Sequence, residues 1–264
     1  MNQVSKQEIL EPNYELVGRL HSIESMGAVD GPGIRTIFFL QGCPLRCAYC
    51  HNPDSQPKIG AGKTITVQEV VDLAKRYKAY YKNIGGITFS GGEPLMQGEF
   101  IYHCCLALAK EGINVCLDTS GYGDPRWYSK VLPLASTLLL DIKQFQDPEF
   151  KVMVGAPMHT FMRFLKRLTT DYGFKGKIWI RHVMVPTITD DRASMRKLVQ
   201  LILPYHKYIE KIEILPYHIL GVSKYEDLGR DYLLKGIPAM DKDKAKKLEK
   251  YVRRHFTDQI RKMS

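Results

Sequence analysis

Three cysteines stand close together on one short segment of the chain, at Cys43, Cys47 and Cys50. Their C-x3-C-x2-C spacing follows a hydrophobic run over residues 37–40, and a loop-forming stretch over residues 52–54 comes after it. Three thiolates on one loop can bind three corners of a cubane iron–sulfur cluster, whose usual ligand set is four cysteines. The fourth iron is then free to bind a molecule that is not protein. We therefore predict a 4Fe-4S cluster with one open iron.

Three other interpretations of this segment stay open on spacing alone. With His51 the cysteines could form a structural Cys3His zinc site, although such sites usually take their ligands from two separated pairs. Cys47 to His51 also fits C-x-x-C-H, the haem attachment pattern. Disulfide pairing would need an oxidising compartment. Because residues 1–8 are polar and contain no apolar signal core, we expect a cytoplasmic protein and favour the cluster.

Composition limits the partners. The chain has 264 residues, 44% of them hydrophobic, enough for one large domain or two small ones. The formal net charge is +10, which indicates either a solvated basic helix face near the C-terminus or an acidic partner. Aromatic–basic motifs of the RNA-binding kind are absent from the sequence. No apolar run approaches the ~20 residues of a membrane span. We expect neither nucleic acid nor a membrane as partner.

Strand and helix patterns alternate along the chain after residues 1–17, which we expect to form a loose N-terminal tail. Strand patterns cover residues 35–41, 86–90, 114–119, 137–142, 177–185 and 211–216. Helical patterns cover residues 66–81, 97–110, 125–134, 160–170, 190–203 and 242–255. Six strand–helix units with right-handed crossovers predict an α/β fold that is a barrel or part of one.

Polar or charged side chains follow these apolar strands at their C-terminal ends. After the cysteine segment they are Ser90-Gly91-Gly92-Glu93-Pro94, Asp118-Thr119-Ser120-Gly121, Asp141-Ile142-Lys143, Arg181-His182-Val183 and Pro216-Tyr217-His218. Barrels of parallel strands carry their chemistry at this end of the strands. Six such strand ends together predict one functional site on one face of the fold.

With the cysteine segment and the Gly-Gly-Glu-Pro turn both placed, the chain resembles the radical S-adenosylmethionine (SAM) superfamily. It is similar in particular to the glycyl-radical-enzyme activases, over a stretch from about residue 18 to the C-terminus. The motifs that carry the resemblance are Asp30-Gly31-Pro32-Gly33-Ile34-Arg35, Gln41-Gly42-Cys43, Arg46-Cys47-x-Tyr49-Cys50, Leu117-Asp118-Thr119, Leu140-Asp141-Ile142-Lys143 and Leu215-Pro216-Tyr217-His218. Residues 51–90 contain no cysteine. The ferredoxin-like insert of several other activases is therefore missing, as in the activases of pyruvate formate-lyase.

The resemblance implies a fold, an activity and partners. The fold would be the partial (β/α)6 TIM-like barrel of the radical SAM type, in a single domain over residues 18–264 with its core at about 33–220 and a C-terminal extension over 221–264. The open iron would bind SAM, and a 5′-deoxyadenosyl radical would remove a Cα hydrogen from a glycine of the protein substrate. That substrate would be a glycyl radical enzyme such as pyruvate formate-lyase, and the electron donor an acidic protein such as a flavodoxin. We expect a monomer.

Three alternatives remain. The chain could activate another glycyl radical enzyme, or it could be a radical SAM enzyme that acts on a small molecule. It could also be an electron carrier or assembly factor without catalysis, but that interpretation leaves the Gly-Gly-Glu turn unexplained.

The resemblance also implies roles for residues of this chain. SAM would contact Tyr49, Cys50, His51, Gly91, Gly92, Glu93, Asp141, Ile142, Lys143, Arg181, Val183 and His218. Tyr49 is placed to touch the adenine, and the two glycines let the backbone approach SAM closely. Glu93 either accepts a hydrogen bond from the methionyl ammonium group, which we favour, or orders its own loop.

Two further sets of residues are implied. Asp118, Thr119 and Asp141, with the carbonyl of Leu139, resemble a Na+ or K+ site beside the SAM carboxylate, and ordinary capping is the alternative role. Asp30, Lys143 and Arg181 are expected to contact the protein substrate. Asp30 would grip the glycine-bearing segment of that substrate, which must come close to the 5′ carbon.

Overall fold

A computed structural model describes residues 11–57 and 61–263. The strands are β1 (Val17–Gly27), β2 (Arg35–Leu40), β3 (Lys63–Thr66), β4 (Gly86–Gly91), β5 (Asn114–Thr119), β6 (Thr137–Asp141), β7 (Lys177–Met184) and β8 (Ile209–Pro216). The helices are α1 (Val67–Tyr81), α2 (Gly98–Lys110), α3 (Pro125–Val131), α4 (Glu149–Val154), α5 (Met158–Arg167), α6 (Arg192–Ile202), α7 (Val222–Asp227) and α8 (Lys242–Met263). Within the described residues the strands form one open sheet, in the order β3-β1-β2-β4-β5-β6-β7-β8.

The sheet confirms the predicted partial barrel. Strands β2, β4, β5, β6, β7 and β8 are parallel, and they coincide with the six strand patterns to within two residues at each end. Their apolar runs are buried on both faces, as at Phe38, Leu138 and Leu140, which are fully buried. The outer helices cover the sheet with one apolar face each. In α1 this face includes Val67, Val70, Val71 and Ala74, all buried.

Local signals account for where α1 starts. Thr66 accepts a hydrogen bond from the backbone N–H of Glu69, and the Glu69 carboxylate accepts one from the backbone N–H of Thr66. This capping box satisfies two backbone donors that the helix leaves unpaired.

The N-terminal prediction is partly wrong. Residues 13–17 are not a loose tail: Tyr14 and Leu16 pack against the core. Their carbonyls accept hydrogen bonds from the first N–H groups of α1, and Val17 already belongs to β1. Residues 1–10 of that prediction lie outside the described residues. The sequence patterns also missed β3, α4 and α7, which are only four to six residues long.

Strand register brings the polar strand ends to one edge. Leu40 pairs with Gly91, Thr119 with Leu140 and Asp141 with Arg181. The carboxyl ends of the parallel strands therefore meet around a common opening, where the predicted site residues are. No helix among the described residues is long and apolar enough to cross a membrane.

Candidate active site

The cysteine loop, residues 41–57, is held in place by backbone hydrogen bonds. The N–H groups of Gly42 and Cys43 donate to the carbonyls of Ser55 and Gln56, at 2.7 and 3.1 Å. The N–H groups of Arg46 and Ala48 donate to carbonyls at the end of α4, at 2.9 and 2.8 Å. The loop has almost no regular structure, so these bonds to its own far end and to α4 fix where its sulfurs point.

The loop forms one wall of a cavity of about 330 Å³ at the strand ends. Among the predicted site residues, the cavity is lined by Asp30, Cys43, Cys47, Tyr49, Cys50, His51, Gly91, Gly92, Asp118, Thr119, Asp141, Lys143, Arg181 and Val183. Ser90 and Ser120, which belong to the predicted strand ends, line it too. Sequence reasoning missed five further lining residues, which are Phe39, Leu45, Asn52, Gln56 and Leu215. The cavity thus brings together five of the six predicted strand ends, whereas Pro216, Tyr217 and His218 of the sixth do not line it.

The three thiols fit the predicted cluster. All three are free and face the same cavity. Burial raises the pKa of Cys43 to about 12 and that of Cys47 to about 11, so these two thiols hold their protons when no positive charge is bound. A bound iron cluster would supply that charge, because cysteines coordinate metal as thiolates. In residues 11–57 and 61–263 no group of three or more His, Cys, Asp or Glu side chains is placed so that it could hold one metal ion.

The opposite wall is a chain of alternating charges on the strand ends. Arg181 lies between two carboxylates: it donates to Asp118 and, at 3.1 Å, to Asp141. Lys143 donates to the second Asp141 oxygen at 2.5 Å, and Ser90 donates to Asp118 at 2.7 Å. The charges of the two negative and two positive groups cancel. A wall of this kind can bind both the carboxylate and the ammonium group of an amino acid.

Ion pairing decides the charge states in this wall. Burial alone would raise the pKa of Asp141, but Arg181 and Lys143 outweigh burial and lower it to about 2. Burial likewise would lower the pKa of Arg181, but Asp118 and Asp141 hold it above its usual value. Asp141 and Arg181 are therefore both charged at neutral pH.

The predicted cation ligands are engaged elsewhere. Arg181 and Lys143 already occupy the carboxylates of Asp118 and Asp141, and the hydroxyl of Thr119 donates to Glu93 at 2.5 Å. Leu139 is fully buried within β6 and does not line the cavity. A Na+ or K+ ion here would have to displace Arg181 from between the two carboxylates. The cation site stays a prediction.

Glu93 is engaged in hydrogen bonds within the protein. Its carboxylate is 1% exposed and lies outside the cavity wall. One oxygen accepts from the N–H of Leu95 and the hydroxyl of Thr119, and the other accepts from the N–H and hydroxyl of Ser120. The bond from Leu95 closes the turn after β4, and the three from Thr119 and Ser120 join that turn to the end of β5. Both oxygens thus order the loop, and the contact with the methionyl ammonium group stays a prediction.

The two glycines of this turn allow β4 to meet the cysteine loop. Gly91 has a φ of +107°, and a Cβ there would lie 2.3 Å from the backbone nitrogen of Leu40. A Cβ on Gly92 would lie 2.4 Å from the carbonyl oxygen of Gly42. No side chain fits either position. The contact lets the N–H of Glu93 donate to Gly42 at 2.9 Å, which joins the turn directly to the cysteine loop.

Four predicted SAM contacts lie in the cavity wall or behind it. The rings of His51 and His218 stack at 3.7 Å between centroids, and burial lowers the pKa of His51 to about 4. Tyr49 donates from its hydroxyl to the Lys143 carbonyl at 3.2 Å. Ile142 is fully buried and, like His218, does not line the cavity. His218 contacts His51, and its own contact with SAM stays a prediction.

A C-terminal segment that sequence reasoning left without a role braces the loop from outside. The hydroxyl of Tyr225 donates to the carbonyl of Cys50 at 3.1 Å. Lys224 donates to Asn52 at 2.8 Å, and Arg230 donates to Gln56 at 2.9 Å. These partners are more than 170 residues apart in sequence, and no local pattern predicts them.

The open (β/α)6 sheet, the three-cysteine loop and the glycine turn define a class of protein. The family model described as the radical SAM superfamily matches residues 37–199, which is more than half of the chain, and the chain belongs to that superfamily. It is similar to the pyruvate formate-lyase-activating enzyme of Clostridium pasteurianum, with 48% identity over 90% of this chain and 98% of that enzyme. It is also similar to the enzyme of that name from Staphylococcus epidermidis, with 40% identity over 90% and 96% of the two chains.

Solved structures agree on the fold. A radical SAM methyltransferase from Sphaerobacter thermophilus matches with a TM-score of 0.58 and 16% identity, over 83% of this chain and 63% of that one. A domain of the pyruvate-formate lyase-activating enzyme from Bacteroides vulgatus matches with a TM-score of 0.50 and 20% identity, over 66% and 94%. At these identities the likeness concerns the fold alone.

Proposed function

We propose that this chain is an oxidoreductase that installs a glycyl radical on pyruvate formate-lyase. The observation that carries the proposal is a single cavity with three free thiols on one wall and four paired charges on the other. The similarity to curated relatives named for this activity, over nearly their whole length, supports the choice of protein substrate. A bound 4Fe-4S cluster would supply one-electron reduction of SAM, in which the S–C5′ bond would break to give methionine and the 5′-deoxyadenosyl radical that would take the glycine Cα hydrogen.

The chain's own residues bind and orient the reactants in this proposal. Cys43, Cys47 and Cys50 hold the cluster and leave one iron open. Arg181 and Lys143 attract the carboxylate end of SAM, and Asp141 accepts from its ammonium group, each as a charge-assisted hydrogen bond.

The remaining contacts divide between SAM and the protein substrate. Tyr49, His51 and Val183 border the space for the adenosyl group, and Gly91 and Gly92 let backbone come close to it. Ile142 and His218 support them from behind. Asp30, with Lys143 and Arg181, grips the backbone of the glycine-bearing segment. With SAM and the glycine-bearing segment in place, the filled cavity would keep water away from the radical.

Anaerobic reconstitution tests the proposal. The protein is loaded with iron and sulfide, reduced with dithionite and mixed with SAM and pyruvate formate-lyase. We expect 5′-deoxyadenosine and a glycyl EPR doublet on the partner, and no doublet on a partner whose radical glycine is replaced by alanine. 5′-Deoxyadenosine without a doublet would favour another glycyl radical enzyme or a small-molecule substrate. If neither 5′-deoxyadenosine nor the doublet forms, the result contradicts catalysis of this class.

The proposal extends to the chain's surroundings. We propose that the protein is a cytoplasmic monomer. We also propose that it takes its electrons from an acidic protein such as a flavodoxin, because the chain carries a net charge of +10. Cluster reduction by a flavodoxin should slow steeply as salt rises from 50 to 500 mM, since screening weakens such encounters. A rate independent of salt would contradict the electrostatic part of the proposal.

A further inference from the structure

Arg35 is a buried cation without an acidic partner. It is the first residue of β2, its exposed fraction is 0%, and among the described residues it makes no ion pair with a carboxylate. Its guanidinium instead donates to neutral acceptors: the hydroxyl of Thr88, the side-chain oxygen of Asn114 and the carbonyls of Pro32, Ile84, Ile87 and Asn114. Burial lowers the pKa of this group. A charge in such a position is costly unless every donor is used, so its contacts call for an explanation beyond packing.

Those contacts support the loop that carries Asp30. The Nε of Arg35 donates to the hydroxyl oxygen of Thr88 at 2.7 Å, and the same hydroxyl donates to the backbone carbonyl of Asp30 at 2.7 Å. One guanidinium nitrogen also donates to the carbonyl of Pro32 at 3.1 Å. Arg35 and Thr88 together therefore hold the Asp30 loop at two of its carbonyls.

The loop lies directly on Arg35. Gly31 has a φ of +121°, and a Cβ there would lie 2.9 Å from the Cδ of Arg35 and 3.1 Å from the Sγ of Cys116. Above this contact the Asp30 carboxylate reaches the cavity. Burial raises its pKa, Asp118 raises it further, and Arg181 opposes them. The position of the Asp30 backbone therefore sets how far the Asp30 carboxylate extends into the cavity towards the charged wall.

We infer that Arg35 and Thr88 are positioning residues that set the Asp30 carboxylate for binding the glycine-bearing segment of the protein substrate. The inference rests on the proposed function, which gives Asp30 that contact. It adds that two hydrogen bonds, from Arg35 to Thr88 and from Thr88 to Asp30, connect the first residue of β2 to the loop that borders the cavity. Small displacements of a positioned group are enough to weaken a reaction strongly.

Thr88→Val tests this alignment, because valine keeps the shape and removes both hydrogen bonds. The probe is a peptide spanning the radical glycine of pyruvate formate-lyase, and binding to the reconstituted, SAM-loaded protein is measured by calorimetry. We expect the Kd for the peptide to rise about fivefold or more, the worth of at least one lost hydrogen bond. Production of 5′-deoxyadenosine from SAM without peptide should stay within about twofold, and amide exchange in residues 28–33 should speed up.

Two comparisons separate alignment from a general loss of packing. Thr36→Val is the matched control, since Thr36 is also fully buried and its hydroxyl donates to the Ser25 carbonyl at 2.9 Å. It should leave the Kd for the peptide unchanged. In an Asp30→Asn background, Thr88→Val should weaken peptide binding much less than it does in the natural chain, because residues that act through one group are not additive.

The outcomes separate this inference from the proposed function. If the natural protein forms the glycyl radical but Thr88→Val binds the peptide normally, the inference is wrong and the proposed function stands. An equal weakening by Thr88→Val in both backgrounds also overturns the inference. If the natural protein forms no glycyl radical on pyruvate formate-lyase, the proposed function fails first.

Discussion

The two walls of the cavity are built in different ways. The cysteine loop has almost no regular structure and is positioned by backbone hydrogen bonds to its own far end, to α4 and to the turn after β4. The charged wall stands on strand ends whose register already aligns Asp141 with Arg181, and ion pairs complete it. We infer that the loop supplies an all-or-none function, whereas the charged wall supplies graded binding and stability. The following predictions test that contrast, from the largest effect to the smallest.

Replacing one loop sulfur should abolish the centre. Cys47→Ala leaves two thiolates, too few to hold a cluster that already lacks a protein ligand at one iron. We expect the variant to lose most of its iron and all of its SAM cleavage after anaerobic reconstitution, as measured by iron content and 5′-deoxyadenosine.

Cys105→Ala is the control, because Cys105 is also a free cysteine but lies buried in α2 and does not line the cavity. It should keep its iron and its SAM cleavage. Full iron binding by Cys47→Ala would contradict the assignment of the loop.

Removing the cation between the two carboxylates should destabilise the fold without removing iron. Arg181→Met leaves two largely buried carboxylates, Asp141 with Lys143 as its remaining partner and Asp118 with only the Ser90 hydroxyl. Breaking one side of a buried ion pair typically costs about 3–5 kcal/mol, measurable by urea unfolding. Lys244→Met is the control: it breaks a pair to Asp190 whose lysine is 50% exposed, and it should cost at most about 1 kcal/mol. An equal loss of unfolding free energy in the two variants would show that the ion pairs of the charged wall stabilise the fold no more than an exposed pair does.

The pairing of Asp141 should appear in the pH dependence of stability. Its pKa falls from 3.8 to about 2 on folding, so the paired carboxylate stabilises the folded state above about pH 4 and loses this contribution as the pH falls towards 2. The shift is of the order of 2 kcal/mol. The difference in unfolding free energy between the natural protein and Asp141→Asn should shrink by this amount from pH 5 to pH 2. A difference that does not change with pH would contradict the ion pair.

The outer brace of the loop should give the smallest effect. Tyr225→Phe removes one hydrogen bond to the Cys50 carbonyl, a change of about 1 kcal/mol. We expect faster amide exchange over residues 47–52 with iron content unchanged. Tyr80→Phe, at an exposed position of α1, should change neither. Loss of iron in Tyr225→Phe would mean that the brace, and not the loop's own hydrogen bonds, positions the cysteines.

Local patterns predicted much of the fold and of the site. The six parallel strands follow from short apolar runs, and the cavity lining follows because polar groups end those runs at one edge of a parallel sheet. The role of Glu93 could not be predicted, since it depends on donors from Thr119 and Ser120 on another strand. The brace by Lys224, Tyr225 and Arg230 depends on contacts across most of the chain. The strand β3 is too short to show a period.

The account depends most directly on an iron that the protein leaves open. EPR of the anaerobically reconstituted and reduced protein, recorded with and without SAM, tests this point. The account predicts a 4Fe-4S signal whose g values change when SAM is added. A signal that is identical with and without SAM, from a metal fully coordinated by protein, would contradict it.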